Sequence, residues 1–286
     1  MTLSSLRRAL RDILASALDP READATARII LEDGGGFSPV AIAADGDRTL
    51  EDFTVERLTG MARRVAEGGE PVQYVVGVAR FYGMDLHVTP DVLIPRPETE
   101  GLVDRVVDAA RGRSDLRVLD VCTGSGCIAI ALARTLPFAD VEACDISAAA
   151  LGVARRNAAD IGAKVTFFEA DAMNMPAPAS PRYDIVVSNP PYIARSEAEL
   201  MDDRVLLHEP SLALFVPDDD PLRFYRAVAV YAQSALVPGG RLFFEINSLY
   251  ADATADLLRE LGYTDVELDR DMYRRMRYAS ATLPQR

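Results

Sequence analysis

The strongest constraint on the fold is the alternation of short apolar runs with helix-like stretches from about residue 102 onward. Runs with the composition of buried β-strands lie at residues 117–121, 141–144, 165–168, 184–188 and 241–246. Helical periodicity fills intervals between them, for example over residues 147–161 and 222–236. Strands that alternate with helices build a mostly parallel sheet with helices on its faces. The sequence therefore predicts a doubly wound α/β domain.

The end of the chain departs from this alternation. Residues 265–268 and 278–283 are two further strand-like runs with no clear helix between them. Close succession fits an antiparallel pair, because antiparallel neighbours need no crossover connection. The sequence therefore predicts that the domain ends in an antiparallel pair of strands.

The first 70 residues carry no strand-like pattern. Apolar residues recur at the helical period over residues 3–17, and Asp19-Pro20 marks a second helix start. Residues 72–78 and 81–88 are instead rich in β-forming residues. We predict a small all-helical domain over residues 1–70, a β-hairpin connector over residues 71–100 and the sheet domain over residues 101–286.

Charge and hydropathy restrict the partners. The 286 residues include 44 acidic and 31 basic side chains, which gives a formal net charge of −13. This balance argues against nucleic acid, which is bound largely by neutralising phosphates, and suits a basic protein partner. No apolar run is long enough for a membrane span or a signal peptide. We therefore expect no membrane partner.

The cysteines and histidines give no sign of a metal site. Cys122, Cys127 and Cys144 lack the Cys-x-x-Cys spacing, and His87 and His208 are the only imidazoles. Neither a zinc site nor a disulfide framework fits this set. We expect no metal and a reducing, cytoplasmic location.

A glycine-rich turn follows the first predicted strand of the sheet. Its residues are Cys122, Thr123, Gly124, Ser125 and Gly126. The pattern Gly124-x-Gly126-x-x-Ala129 fits a nucleotide-binding turn, in which the first glycine permits the turn and the second lets a ligand approach the backbone. Asp145 ends the next strand, 21 positions after Gly124, where an acid can accept hydrogen bonds from both ribose hydroxyls.

Two ligands fit this pattern, a dinucleotide and S-adenosylmethionine. Asp171 follows the third strand and could help to hold adenine, with the backbone amide of Ala172 beside it. The alternative for Asp171 is a solvated loop carboxylate, and the residues alone leave both open.

A second candidate loop, Asn189-Pro190-Pro191-Tyr192, follows the fourth strand. Two prolines remove backbone donors and stiffen the loop, so carbonyl oxygens are left as acceptors. Asn189 adds a side-chain oxygen, and two fixed acceptors can hold both hydrogens of one planar NH₂ group. Tyr192 offers a flat face for an amide or a base. The loop predicts an amide or aryl amine as methyl acceptor, with an ordinary turn as the alternative.

These motifs resemble those of S-adenosylmethionine-dependent methyltransferases that act on nitrogen. Two further segments resemble the family of peptide chain release factor N5-glutamine methyltransferases. They are residues 93–100, with the sequence LIPRPETE, and residues 209–214, with the sequence EPSLAL. Asn247 departs from the family pattern, which usually has glycine there.

The resemblance implies a fold, a substrate and site residues. It implies a seven-stranded, Rossmann-like methyltransferase sheet joined by the hairpin to a helical substrate-recognition domain. The implied substrate is the glutamine of the Gly-Gly-Gln motif of release factors. The resemblance implies that residues 122–126, Asp145, Ala172 and Asn189 contact the cofactor. It also implies that S-adenosylhomocysteine is the product of the reaction. The resemblance further implies that Asn189, Pro190, Pro191 and Tyr192 contact the substrate glutamine. Among these, Asn189 and Pro190 would align the amide for catalysis.

Other functions remain as alternatives. The enzyme could methylate a glutamine of another protein, such as a ribosomal protein, or the amino group of adenine in nucleic acid, with Tyr192 stacked on the flipped base. A nicotinamide-dependent oxidoreductase would use the glycine turn but would leave the Asn189 loop unexplained. A non-catalytic cofactor-binding module is the last alternative.

Overall fold

A computed structural model describes residues 1–285. Its α-helices, in chain order, are α1 (Leu3–Leu14), α2 (Pro20–Ile29), α3 (Pro39–Ala44), α4 (Asp52–Gly68), α5 (Val72–Val76), α6 (Pro97–Ala109), α7 (Cys127–Thr135), α8 (Ala148–Ile161), α9 (Asp203–His208), α10 (Ser211–Leu214), α11 (Arg223–Ala235) and α12 (Ala251–Glu260). Its strands are β1 (Val78–Phe81), β2 (Met84–His87), β3 (Arg117–Val121), β4 (Asp140–Asp145), β5 (Thr166–Glu169), β6 (Tyr183–Ser188), β7 (Ile193–Ala194), β8 (Phe215–Val216), β9 (Leu236–Glu245), β10 (Thr264–Arg270) and β11 (Met276–Thr282).

The chain divides into two compact units, and the first is helical. It comprises Met1–Val78, Val88–Pro90 and Asp202–His208. Its core buries apolar residues of α1, α2 and α4, as their helical spacing predicts. The segment Asp202–His208 joins this unit although it lies far along the chain. There Arg204 forms an ion pair with Glu22 at 2.5 Å.

Residues 72–78 were expected to form a strand, and this expectation is wrong. Val72–Val76 forms the short helix α5, which begins after Pro71 and ends at Gly77 with φ of 77°. Tertiary context overrides the β propensity of the valines here. The β-hairpin itself lies further on, where β1 and β2 form a two-stranded sheet. Tyr82 and Gly83 join the two strands with φ of 50° and 69°, as a tight two-residue turn requires.

The second unit is built on a seven-stranded sheet in the order β10-β11-β9-β6-β3-β4-β5. The five strands β3, β4, β5, β6 and β9 pair in parallel, and β11 pairs antiparallel with both β9 and β10. All seven predicted strands and the antiparallel terminal pair are therefore confirmed. The two-residue strands β7 and β8 form a separate pair that the sequence did not predict.

Helices cover both faces of this sheet. One core contains apolar residues of α6 and α7, and the other contains those of α11 and α12. After β5 the chain returns to place β6 on the other side of β3. Ligands of open α/β sheets bind outside the carboxyl ends of the strands at such a reversal of strand order. The loops after β3 and β6 therefore lie where this fold is expected to bind a ligand.

No helix within residues 1–285 has the length and apolar character that a membrane-spanning segment requires.

Candidate active site

The glycine turn after β3 passes through three left-handed residues. Cys122, Gly124 and Gly126 have φ of 62°, 55° and 82°. A Cβ on Gly124 would meet no atom within 4 Å, whereas one on Gly126 would lie 3.0 Å from Ile130 and 3.1 Å from Ala154. Both glycines have the positive φ that the turn requires, but the space around them differs. Gly124 leaves open space in front of the turn, and Gly126 lets α7 and α8 pack closely.

Asp145 lies at the end of β4 and is joined to the glycine turn. Its Oδ2 accepts a hydrogen bond from the backbone N–H of Gly124, and its Oδ1 accepts one from that of Ser147, both at 2.9 Å. Burial raises the pKa of Asp145, although these two hydrogen bonds oppose the shift. Each carboxylate oxygen has a second lone pair, so Asp145 can still accept hydrogen bonds from a ligand.

Asp120 also supports the turn, a role that was not predicted from the sequence. Asp120 is fully buried within β3, and its Oδ2 accepts a hydrogen bond from Thr123 Oγ1 at 2.6 Å. Its Oδ1 has no hydrogen-bond partner among the described residues. Burial raises the pKa of Asp120 to about 7. A carboxyl group inside an otherwise apolar strand was the signal that could have found it, because such a group needs a specific reason to be there.

The remaining predicted residues of this turn are enclosed. Thr123 and Ser125 are both buried, as is Ala172 after β5. Asp171 accepts hydrogen bonds from the backbone N–H of Met173 at 2.9 Å and from the side chain of Asn174 at 2.6 Å. Asp171 therefore shapes its own loop, whichever of its two predicted roles applies.

The loop 189–192 leaves the sheet beside the glycine turn. Ser188, the last residue of β6, pairs in register with Val121, the last residue of β3. Ser188 Oγ also donates to the Val121 carbonyl at 2.6 Å. Because Cys122 and Asn189 directly follow these paired residues, the structure brings the two predicted motifs together at one edge of the sheet.

Within this loop the prolines are buried and the polar residues are partly exposed. Pro190 and Pro191 are enclosed, whereas Asn189 and Tyr192 retain intermediate exposure. Asn189 Nδ2 donates to Thr99 Oγ1 at 3.3 Å, and the Tyr192 hydroxyl donates to Glu245 Oε1 at 3.1 Å. Burial, together with the Glu245 charge, raises the pKa of Tyr192 well above its ordinary value, so this phenol stays protonated.

Asn247, which departs from the family pattern, holds the end of the loop. Its Nδ2 donates to the Tyr192 carbonyl at 3.1 Å and to Glu197 Oε1 at 2.9 Å. Its Oδ1 accepts from the Leu249 backbone N–H at 3.0 Å. An asparagine here therefore adds hydrogen bonds that a glycine could not make.

Residues 93–100 and 209–214, the two segments that resemble one particular methyltransferase family, contact each other. Arg96 of the first forms an ion pair with Glu209 of the second at 2.5 Å, and the backbone N–H of Ile94 also donates to Glu209 at 3.3 Å. The Glu209 carboxylate is almost fully buried. This pair joins residues 93–100 to residues 209–214.

Comparisons with known proteins agree with this architecture. Residues 5–77 match the family described as PrmC N-terminal domain, and residues 99–211 match Methyltransferase small domain. The crystal structure of a methyltransferase from Pyrococcus furiosus superposes with a TM-score of 0.52 at 16% identity, covering 71% of this chain and 90% of that one. At that identity the likeness shows the fold alone.

Two relatives extend the likeness over nearly the whole sequence. The release factor glutamine methyltransferase of Bacteroides thetaiotaomicron is 41% identical over 276 residues, which cover 96% of this chain and 97% of the relative. That of Bordetella pertussis is 41% identical over 264 residues, covering 92% and 95%. The oxidoreductase and non-catalytic alternatives are therefore wrong. The chain is an enzyme of the release factor glutamine methyltransferase family.

Proposed function

We propose that the enzyme methylates the side-chain amide nitrogen of the glutamine in the Gly-Gly-Gln motif of class I peptide chain release factors. Its methyl donor would be S-adenosylmethionine, with S-adenosylhomocysteine as product. The observation that carries this proposal is the pairing of Val121 with Ser188, which sets the glycine turn and the loop 189–192 side by side. The relatives' names supply the substrate class.

The residues around the glycine turn suit this cofactor. S-adenosylmethionine carries ribose hydroxyls and a positively charged methionine portion. Asp145 offers acceptors for the hydroxyls, Gly124 leaves open space, and Asp120 has a buried oxygen without a partner among the described residues. We assign the cofactor contacts to residues 122–126, Asp145, Asp171, Ala172 and Asn189.

Asn189 and Pro190 would hold the substrate amide. When bound, S-adenosylmethionine supplies a methyl group on a positively charged sulfur, which is a strong methyl donor. The amide nitrogen is a poor nucleophile, so alignment is the main task of the protein. Asn189 Oδ1 and the Pro190 carbonyl would accept the two amide hydrogens. Both oxygens would also stabilise the positive charge that develops on nitrogen as the N–C bond forms and the C–S bond of the donor breaks. The methylated amide nitrogen is very acidic and would then lose one proton to water, which leaves a neutral N-methyl amide and S-adenosylhomocysteine. Pro191 would stiffen the loop, and the Tyr192 ring would pack against the amide plane.

The helical unit and the net charge both support a protein as the substrate. We assign the helical residues 1–70 to recognition of the protein substrate, residues 71–100 to the connector, and residues 101–286 to catalysis. The net charge of −13 favours a basic protein over nucleic acid. Release factors act during translation, so we place the enzyme in the cytoplasm.

Transfer of a radiolabelled methyl group from S-adenosylmethionine tests the proposal. We expect label on purified release factor and none on a release factor whose Gly-Gly-Gln glutamine is changed to asparagine. Ribosomal protein and adenine-containing oligonucleotides serve as competing acceptors in parallel reactions. Labelling of either of these, with release factor left unlabelled, would contradict the proposal.

A further inference from the structure

A buried hydrogen-bonded pair lies behind the loop 189–192. Thr99 is in the first turn of α6 and is 2% exposed, and Glu245 ends β9 and is 1% exposed. Thr99 Oγ1 lies 2.7 Å from Glu245 Oε2. Thr99 is the donor in this hydrogen bond, so its single hydroxyl proton is directed at Glu245. Burial raises the pKa of Glu245, whereas the hydrogen bonds from Thr99 and Tyr192 and the charge of Arg277 favour its ionised form, which only accepts hydrogen bonds.

This direction determines which way the Asn189 amide turns. With its proton committed to Glu245, Thr99 Oγ1 presents only lone pairs to the Asn189 side chain at 3.3 Å. The facing atom of Asn189 is therefore Nδ2, a donor, and not Oδ1. Oxygen and nitrogen of an amide have nearly the same shape, so such a network is what distinguishes the two orientations. Oδ1 is thereby kept on the side away from Thr99, free to accept a hydrogen bond.

The second oxygen of the same carboxylate holds the other end of the loop. Glu245 Oε1 accepts the Tyr192 hydroxyl at 3.1 Å. Arg277, on β11, lies with its Nη1 3.5 Å from the Tyr192 hydroxyl and forms an ion pair with Asp271 at 3.3 Å. One buried carboxylate thus orients both polar residues of the loop.

We propose that Thr99 and Glu245 are positioning residues that fix the Asn189 amide with its Oδ1 turned toward the substrate nitrogen. This proposal rests on the proposed function of Asn189. Reversal of the Asn189 amide would set an NH₂ group against the substrate NH₂ group, and two donors cannot form a hydrogen bond with each other. Thr99 therefore acts on turnover through Asn189, without touching the substrate.

Replacement of Thr99 by its near-isostere valine tests this role. Thr99→Val removes the acceptor that selects the Asn189 orientation and keeps the shape of the side chain. We expect kcat to fall about tenfold, as for one lost hydrogen bond, with unchanged affinity for S-adenosylhomocysteine. Thr99→Ser keeps the hydroxyl, so we expect it to restore most of kcat. If Thr99→Val does not fold, as judged by circular dichroism, Thr99→Ala replaces it.

The specific readout is a double-mutant cycle with Asn189→Ala. Once Asn189 has no amide, loss of the Thr99 hydroxyl should lower kcat no further. An unchanged kcat in Thr99→Val, or an equal loss in both backgrounds, would overturn the positioning role. Wild-type enzyme that binds S-adenosylhomocysteine but methylates no glutamine would instead contradict the proposed function.

Discussion

The backbone N–H of Gly124 donates to Asp145 Oδ2 across 2.9 Å and joins the turn after β3 to the end of β4. These residues lie 21 positions apart in the chain, and the parallel pairing of the two strands brings them together. The carboxylate supports the turn, and under the proposed function it would also bind the ribose of the cofactor. Loss of Asp145 should affect both.

Asp145→Ala should weaken binding of S-adenosylhomocysteine by about ten- to a hundredfold, because hydrogen bonds to a charged group contribute roughly 1.5–3 kcal/mol. Isothermal titration calorimetry measures this change. Asp140→Ala is the matched control, because Asp140 is an exposed acid at the opposite end of the same strand. We expect Asp140→Ala to bind like the wild type. Equal affinities of the two variants would remove Asp145 from the cofactor site.

The two glycines of the turn should respond differently to alanine. Both have positive φ, so each substitution costs roughly 1–2 kcal/mol of backbone strain. Gly124→Ala would place its methyl group in open space and should mainly weaken binding of S-adenosylhomocysteine. Gly126→Ala would in addition crowd Ile130 and Ala154 and should mainly lower the free energy of unfolding. Urea unfolding and calorimetry on both variants separate the effects, and the opposite pattern would contradict these roles.

The sheet could be predicted because its signal is local. The five parallel strands coincide with short apolar runs that have turn or helix signals around them, and β3 is buried at four of its five positions. The exposed edge strand β10 has the weakest apolar pattern. The glycine turn and the Asn189 loop were predictable for the same reason. Each follows a strand directly, and the carboxyl ends of parallel strands share one edge.

The features that could not be predicted from the sequence depend on contacts between residues far apart in the chain. The Val72–Val76 helix was missed because its valines have β propensity, and its neighbours decide otherwise. The link between Thr99 and Glu245 spans 146 positions and has no sequence pattern. The segment Asp202–His208 gave no sign that it belongs with the first unit. The different roles of Gly124 and Gly126 also emerged only from the space around each one.

Asn189→Ala should abolish most turnover while leaving cofactor affinity within a modest factor. The variant loses one of the two oxygens that would hold the substrate amide and stabilise its developing charge. Loss of one such preorganised group lowers kcat by about a hundredfold or more. Steady-state methylation of release factor gives kcat, and titration with S-adenosylhomocysteine on the same sample is the internal control. Undiminished turnover would remove Asn189 from the catalytic step.

The buried Asp120 should make stability depend on pH. Burial raises its pKa in the folded protein from 3.8 to about 7, so the folded state holds a proton that the unfolded state has released. The free energy of unfolding should therefore fall as pH rises from about 4 to about 7, by at most about 4 kcal/mol. Asp120→Asn cannot ionise, and its side chain can still accept from Thr123. We expect the stability difference, variant minus wild type, to grow over this pH range in urea unfolding. A difference that stays constant with pH would show that Asp120 is ionised throughout.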